Sequence, residues 1–405
     1  MTDIDALSAA EMATPPPAER LPLIALLALT LSSFIATANE TMPAGLLPQI
    51  AQAFNVSQAW AGQWVTFCAL GSGLAAIPLT LALQGWRRRR VLLLAVGVFF
   101  VCNAVTALSP WFGLTLAARL VVGLATGLAW SLLAGYARRM APRPLQGRAM
   151  AVAMLGIPLA LAVGVPLGAW LGKLSGWRSV FGILSAASLM LMLWIRVNVP
   201  DYPGQKADRR LPLSTVVQTP GVRPVLLVVM LWIMAHYILY TYIAAFLASV
   251  GLGEHVDAAL LIFGLAALLG IWLTGVLIDR WLRRLVLLSL VAFALVTLTL
   301  GLGRLPVVLT CIATAVWGLS FGGAPTLLQT ALAETAGDGA DVAQSMLVTA
   351  FNLAFAGSGV IGGVVLATHG PAWFPWLLLA LLMPALWIAQ RWMHSPNTES
   401  ALPRA

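Results

Sequence analysis

Residues 87–108 read RRRRVLLLAVGVFFVCNAVTAL, four arginines followed by an uncharged run from Val91 to Leu108. A run of that length is what a helix needs to cross the roughly 30 Å hydrocarbon core of a bilayer. Membrane β-barrel strands alternate over segments of only about ten residues, which this run does not do. The basic cluster beside it reads as an orientation anchor at the cytoplasmic boundary. Working outward, runs of similar length lie near 22–47, 59–83, 112–135, 149–171 and 179–197, making six with 91–108. A hydrophilic stretch, 198–223, follows, and six more runs lie near 224–249, 258–278, 285–303, 306–331, 342–367 and 372–390. Apolar residues make up 60% of the 405 and charged residues 9%, against about 25% charged in a soluble domain. The expected architecture is an all-α integral membrane protein of twelve helices. Its parts are a cytoplasmic tail (1–21), a six-helix bundle (22–197), a cytoplasmic linker (198–223), a second bundle (224–390) and a C-terminal tail (391–405).

Basic residues set the orientation. With both termini in the cytoplasm, inside segments hold 19 of the 23 lysines and arginines and outside loops hold three, Lys173, Arg178 and Arg304. The positive-inside rule therefore favours this topology and explains the net charge of +9 without nucleic acid. The halves echo each other: LQGWRRRRVLLL follows the second span and GVLIDRWLRRLVLL follows the eighth. Basic loops at matching places are what parallel repeats about an axis along the membrane normal produce. Cys68, Cys102 and Cys311 all fall inside apolar runs without metal or disulfide spacing and read as small core residues. The first twenty residues lack the basic start of a cleaved signal peptide.

Only one acid, Glu40, and one basic residue, Arg119, lie deep within spans, Arg196 standing at the inner edge of the sixth. Ionisable groups in a bilayer are costly and ask for a reason. Counting helical rise, each lies about 10 Å below the outer face, so an ion pair is expected. His236 is the one histidine at mid-membrane. Tyr240 is one turn further along the same helix, and Trp317 and Asn352 lie at similar depth. Gly156, Pro158, Gly164, Pro166 and Gly168 crowd the fifth span, which is expected to be bent and closely packed.

Several motifs in order resemble the major facilitator superfamily, over essentially the whole chain. Gly275-Val-Leu-Ile-Asp279-Arg280-Trp-Leu-Arg283-Arg284 is similar to its loop motif. Arg119-Leu-Val-Val-Gly123 resembles its fourth-helix motif, and Gly164-Val-Pro166-Leu-Gly168 the fifth-helix motif of antiporters. Glu40-Thr-Met-Pro43-Ala-Gly-Leu-Leu-Pro48, His236-Tyr-Ile-Leu-Tyr240, Trp317-Gly-Leu-Ser-Phe-Gly and Phe351-Asn352-Leu resemble the twelve-helix drug/proton antiporters near the bacterial sugar and arabinose efflux permeases. One departure stands out: the family's first cytoplasmic loop carries an Asp, and no acid occurs here between Thr80 and Val91.

The resemblance implies a secondary transporter of a small organic molecule in a bacterial inner membrane, a monomer without cofactor or metal, coupled to protons. It implies export by antiport, with proton-coupled uptake or facilitated diffusion as the alternative. The first and fourth helices would line a central cavity. There Glu40 would carry the proton, since burial and a nearby cation act on a carboxylate in opposite senses, and Arg119 would tune it. A permanent Glu40–Arg119 pair holding two helices together is the competing reading. His236 would be a second titrating site or, with Tyr240, Trp317 and Asn352, part of the substrate site; packing is the alternative for each. Gly123, Gly164, Pro166, Gly168, Gly275, Asp279, Arg280 and Arg283 would serve conformational change. Enzymes and ATP-driven pumps fit poorly, because no HExxH or GxxxxGK[ST] pattern occurs, and the GxSxG match at Gly318–Gly322 falls inside an apolar run and not at a strand-to-helix turn.

Overall fold

The computed structural model describes residues 21–76, 78–83, 85–142, 145–204, 213–303, 305–336 and 340–393. The expected N-terminal tail, linker residues 205–212, Arg304 and the C-terminal tail beyond 393 lie outside them, as does the side chain of Asp279. The described residues are helical and contain no strand. Eleven helices are long and apolar enough to cross a membrane.

In the first half these are α1 (Leu23–Phe54), α3 (Arg88–Leu108), α4 (Phe112–Met140), α5 (Arg148–Ser175) and α6 (Trp177–Asn198). The second half has α7 (Val222–Thr241), α8 (Gly253–Ile278), α9 (Arg280–Gly301), α10 (Val307–Ala336), α11 (Ala340–Thr368) and α12 (Phe374–Met393). The twelfth span, α2, is in pieces at Gln58–Ala61, Gln63–Ala76 and Pro78–Leu83. The chain is thus an all-α, twelve-helix integral membrane protein.

Several spans depart from simple rods. Between α8 and α9, where a loop was expected, helix continues through a kink at Trp281 (φ −131°, ψ 21°); RWLRR contains good helix formers and no glycine or proline. The α7 span breaks at Tyr242 and resumes as Ile243–Ser249. The α5 span contains a π-turn at Ala160–Gly164, just before Pro166. Proline cannot donate to the carbonyl four residues back, and a π-turn is one way a helix absorbs the lost bond.

The duplication appears in the packing. Gly71 of α2 meets Gly123 of α4, Gly127 of α4 meets Ser72 of α2, and a β-carbon on any of the three glycines would fall on a main-chain carbonyl of the opposite helix. A similar arrangement recurs six spans later, where Gly270 of α8 lies on the Leu319 carbonyl of α10, and Gly318 and Gly322 of α10 lie on the Phe263 and Ala267 carbonyls of α8. Small residues four apart let backbones approach closely in lipid. The glycine face of α5 packs along α1 in the same manner: Gly156 lies on Thr30 and Ser33, Gly164 on Phe34, and Gly168 on Met42. Thr30 and Ser33 hydroxyls also donate to the Val152 and Ala153 carbonyls of α5, each at 2.7 Å.

The two halves touch along α1–α7, α2–α11 and α5–α8. These seams run from mid-depth to the end carrying Lys173 and Asp257. At the end carrying Arg87–Arg90, by contrast, Pro78–Leu83 of α2, Gln146–Met154 at the start of α5 and Ala324–Ala336 of α10 pack substantially only within their own halves. Among the described residues, the contacts between the halves thus gather toward one end.

Candidate functional site

The site is built where α1 passes between the two bundles. Asn39 and Glu40 are neighbours on α1, and a step of one residue turns about 100° around a helix, so they serve different sides. Arg119 of α4 is fully buried inside the first bundle. Its Nη2 donates to the main-chain carbonyl of Asn39, and its guanidinium lies 5.6 Å from the Phe181 ring centroid of α6. Cys68 of α2 is also beside it.

Glu40 is only partly buried. Trp130 of α4 and Ser72 of α2 stand against its carboxylate, and the charge of Arg119 reaches it. No ion pair within 4 Å joins Glu40 and Arg119 among the described residues. The expected direct pair is replaced by an indirect arrangement: Arg119 is held by the backbone of α1, one residue before the acid. From the second half, Tyr237 of α7 comes within electrostatic reach of Glu40. Its ring stacks on Phe355 of α11 with centroids 3.7 Å apart and meets Phe351 edge-on at 5.9 Å.

His236 points elsewhere. It is buried, its ring lies parallel to Phe321 with centroids 3.3 Å apart, and its Nδ1 accepts a 3.1 Å hydrogen bond from Trp317 Nε1. That bond specifies the tautomer with its proton on Nε2. Phe263 and Phe293 complete an aromatic cluster around Trp317, at 4.5 and 6.2 Å. Tyr240 belongs to this cluster, 5.5 Å from His236, and its hydroxyl end lies beside Thr41 of α1. Asn352 is apart from these three. It lies on the α2–α11 seam, donates to the Val348 carbonyl at 2.9 Å, and packs by its β-carbon on Gly73.

The motif residues separate similarly. Gly123, Gly164 and Gly168 occupy close helix contacts, and Pro166 follows the π-turn. That turn is also a contact between halves, because Gly264 of α8 sits on the backbone of Leu161 and Ala162. Around Gly275 there is open space. Arg280 is exposed at the α8–α9 kink, and Arg283 lies over the Trp392 ring at 5.3 Å. Tyr237, Trp130 and Ser72 were missed by the sequence reading, since an aromatic or hydroxyl in a span carries no signal by type. Tyr237 is nevertheless the immediate neighbour of the histidine that drew attention.

A family model described as Major Facilitator Superfamily matches residues 29–340. Among curated relatives, the "Probable sugar efflux transporter" of Helicobacter pylori (strain J99) is 27% identical over 87% of this chain and 90% of its own length. The purine ribonucleoside efflux pump NepI of Escherichia coli O6:H1 is 29% identical over 82% of this chain and 84% of its own. A crystal structure of a D-xylose–proton symporter shares the fold at a TM-score of 0.72 with 17% identity, over 90% of this chain and 96% of that one. The human organic anion transporter MFSD10 shares it at 0.66 with 18% identity, over 93% of this chain and 100% of that one. By the match over most of its length, this chain belongs to the Major Facilitator Superfamily and is a membrane transporter, not an enzyme.

Proposed function

We propose that this protein is a proton-coupled exporter of a small organic molecule, with sugars and purine nucleosides the first classes to try. The observation that carries this reading is the setting of Glu40. It is the one acid among the described residues in the middle of a span and not near an end, partly exposed between the halves, with Arg119 behind it and Tyr237 of the opposite half before it. A carboxyl there is exposed to whichever side the halves open toward, so it gains a proton on one side and releases it on the other. Protonation removes the charge that Arg119 attracts, which changes the relative energy of the two conformations. The supply of aromatic rings on α7 and α11 suits an uncharged or cationic ligand. The chain would work by alternating access as a monomer in a bacterial inner membrane. Both termini would be cytoplasmic, making the end beside Arg87–Arg90 the cytoplasmic one.

Export is favoured over uptake by the efflux names of relatives that align over more than four-fifths of the chain. The test is accumulation of labelled sugars and purine ribonucleosides in inverted vesicles with an acid interior. Export by antiport gives accumulation above equilibrium that an uncoupler abolishes. Equilibration alone, or uphill movement only in right-side-out vesicles, contradicts it in favour of facilitated diffusion or uptake.

A further inference from the structure

One ion pair among the described residues joins the two halves. Lys173 Nζ, in the last turn of α5, lies 2.8 Å from Asp257 Oδ1 in the first turn of α8. The same ammonium donates to the main-chain carbonyl of Glu254, at 2.5 Å. The other recorded pair, Arg87 with Asp201, lies within the first half. Each charge is also placed to suit its own helix, a cation near a C-terminus and an anion near an N-terminus. The two side chains are 34% and 23% exposed, so water reaches the pair and its loss does not strand a buried charge.

Beneath the pair, the seam at the same end is closed by fitted contacts. Tyr242 of α7 donates its hydroxyl proton to the Gly359 carbonyl of α11 at 2.6 Å, and Gln63 of α2 reaches that carbonyl from the opposite half at 3.4 Å. Gly62 of α2 makes room for the Tyr242 hydroxyl, and Gly359 makes room for Thr66. These apolar and hydrogen-bonded contacts are short in range, whereas an ion pair at the rim acts over a longer distance. The halves cannot part at this end unless Lys173 leaves both Asp257 and Glu254.

We propose that the Lys173–Asp257 pair is a reversible lock on the outer side, formed when that side is shut and broken once in each transport cycle. The inference concerns the conformational equilibrium and stands apart from the identity of the substrate and of the proton carrier. A partly exposed pair of this kind changes an equilibrium by a factor of about two to five. Lys173 makes two bonds across the seam and Asp257 makes one, so removing the lysine has the larger effect.

The experiment places a reporter cysteine at Thr66, in the full chain with Cys68, Cys102 and Cys311 replaced by serine. Its rate of labelling by a membrane-impermeant maleimide is read from the outer side, without substrate or proton gradient. Lys173→Gln and Asp257→Asn each raise the rate, about two- to five-fold, the lysine variant more, and the double variant no further than Lys173→Gln. The swapped pair, Lys173→Asp with Asp257→Lys, brings the rate back toward that of the parent, which shows that the singles acted by charge and not by misfolding. An unchanged rate in Asp257→Asn overturns the lock, and so does a swapped pair as accessible as the singles.

Discussion

Asp201, just beyond the sixth span, pairs with Arg87 at 2.5 Å and accepts a 3.2 Å hydrogen bond from the backbone N–H of Arg89. It therefore caps α3 from outside, satisfying one of the N–H groups a helix start leaves unpaired. Arg88 N–H donates to the Tyr202 carbonyl and the Tyr136 hydroxyl of α4 to the Pro200 carbonyl, so the segment after α6 is fastened both to the start of α3 and to α4. No acid lies between Thr80 and Val91, and an acid from a distant part of the sequence stands at the α2–α3 loop instead.

Burial is the largest single influence on the Asp201 carboxyl and pushes it up, but the hydrogen bonds from Arg87 and Arg89 and the charges of both together outweigh it and hold it below the usual carboxylate range. The native state thus binds this proton less tightly than the unfolded chain, so the stabilisation is present above that range and is lost as pH falls through it. Asp201→Ala is expected to destabilise by about 1 kcal/mol near neutral pH. Thermal unfolding in detergent, compared across pH, checks this: the gap between wild type and variant closes in acid.

Gly123→Ala and Gly318→Ala each place a methyl group on a carbonyl of the facing helix, at equivalent positions of the two halves. Overpacking of this kind costs about 1–3 kcal/mol. Gly275→Ala meets nothing within 4 Å and serves as the comparison. Melting temperatures should fall for the first two and stay near wild type for the third.

His236→Phe keeps a flat ring over Phe321 but removes the acceptor for Trp317. Leaving that indole N–H unpaired costs about 1–3 kcal/mol. Because the imidazole is enclosed by its own half, the variant is expected to lose stability while its pH profile of transport keeps the wild-type midpoint. A moved midpoint would make His236 a titrating member of the site.

Tyr237→Phe preserves stacking on Phe355 and removes only the hydroxyl that Glu40 senses. Substrate exchange at equal concentrations should remain within about two-fold of wild type, while the pH at which uphill transport is half-maximal moves, a 1.4 kcal/mol change in Glu40's protonation being about one pH unit. Transport measured from pH 5 to 9 separates these outcomes.

Much of the fold was legible because the bilayer imposes a length and a polarity on each span. The run at 91–108 and the arginines before it return as α3 almost unchanged. The α8–α9 loop was not legible, since a basic stretch without glycine or proline reads equally well as helix or loop. For the site, rarity was informative: Glu40 and Arg119 are conspicuous by type. Their relation was not, because equal depth on two helices does not say which way each side chain turns. The Lys173–Asp257 contact joins residues whose partner depends on how two bundles meet, and no local pattern records that.

The most direct test of the central claim is proton movement in acid-interior inverted vesicles, followed with a pH-sensitive dye on adding a transported substrate. Wild type should discharge the gradient as substrate enters. Glu40→Gln should give no proton signal while labelled substrate still exchanges, which assigns the proton to Glu40. A proton signal of wild-type size in Glu40→Gln would contradict the account and leave Glu40 and Arg119 as structural residues.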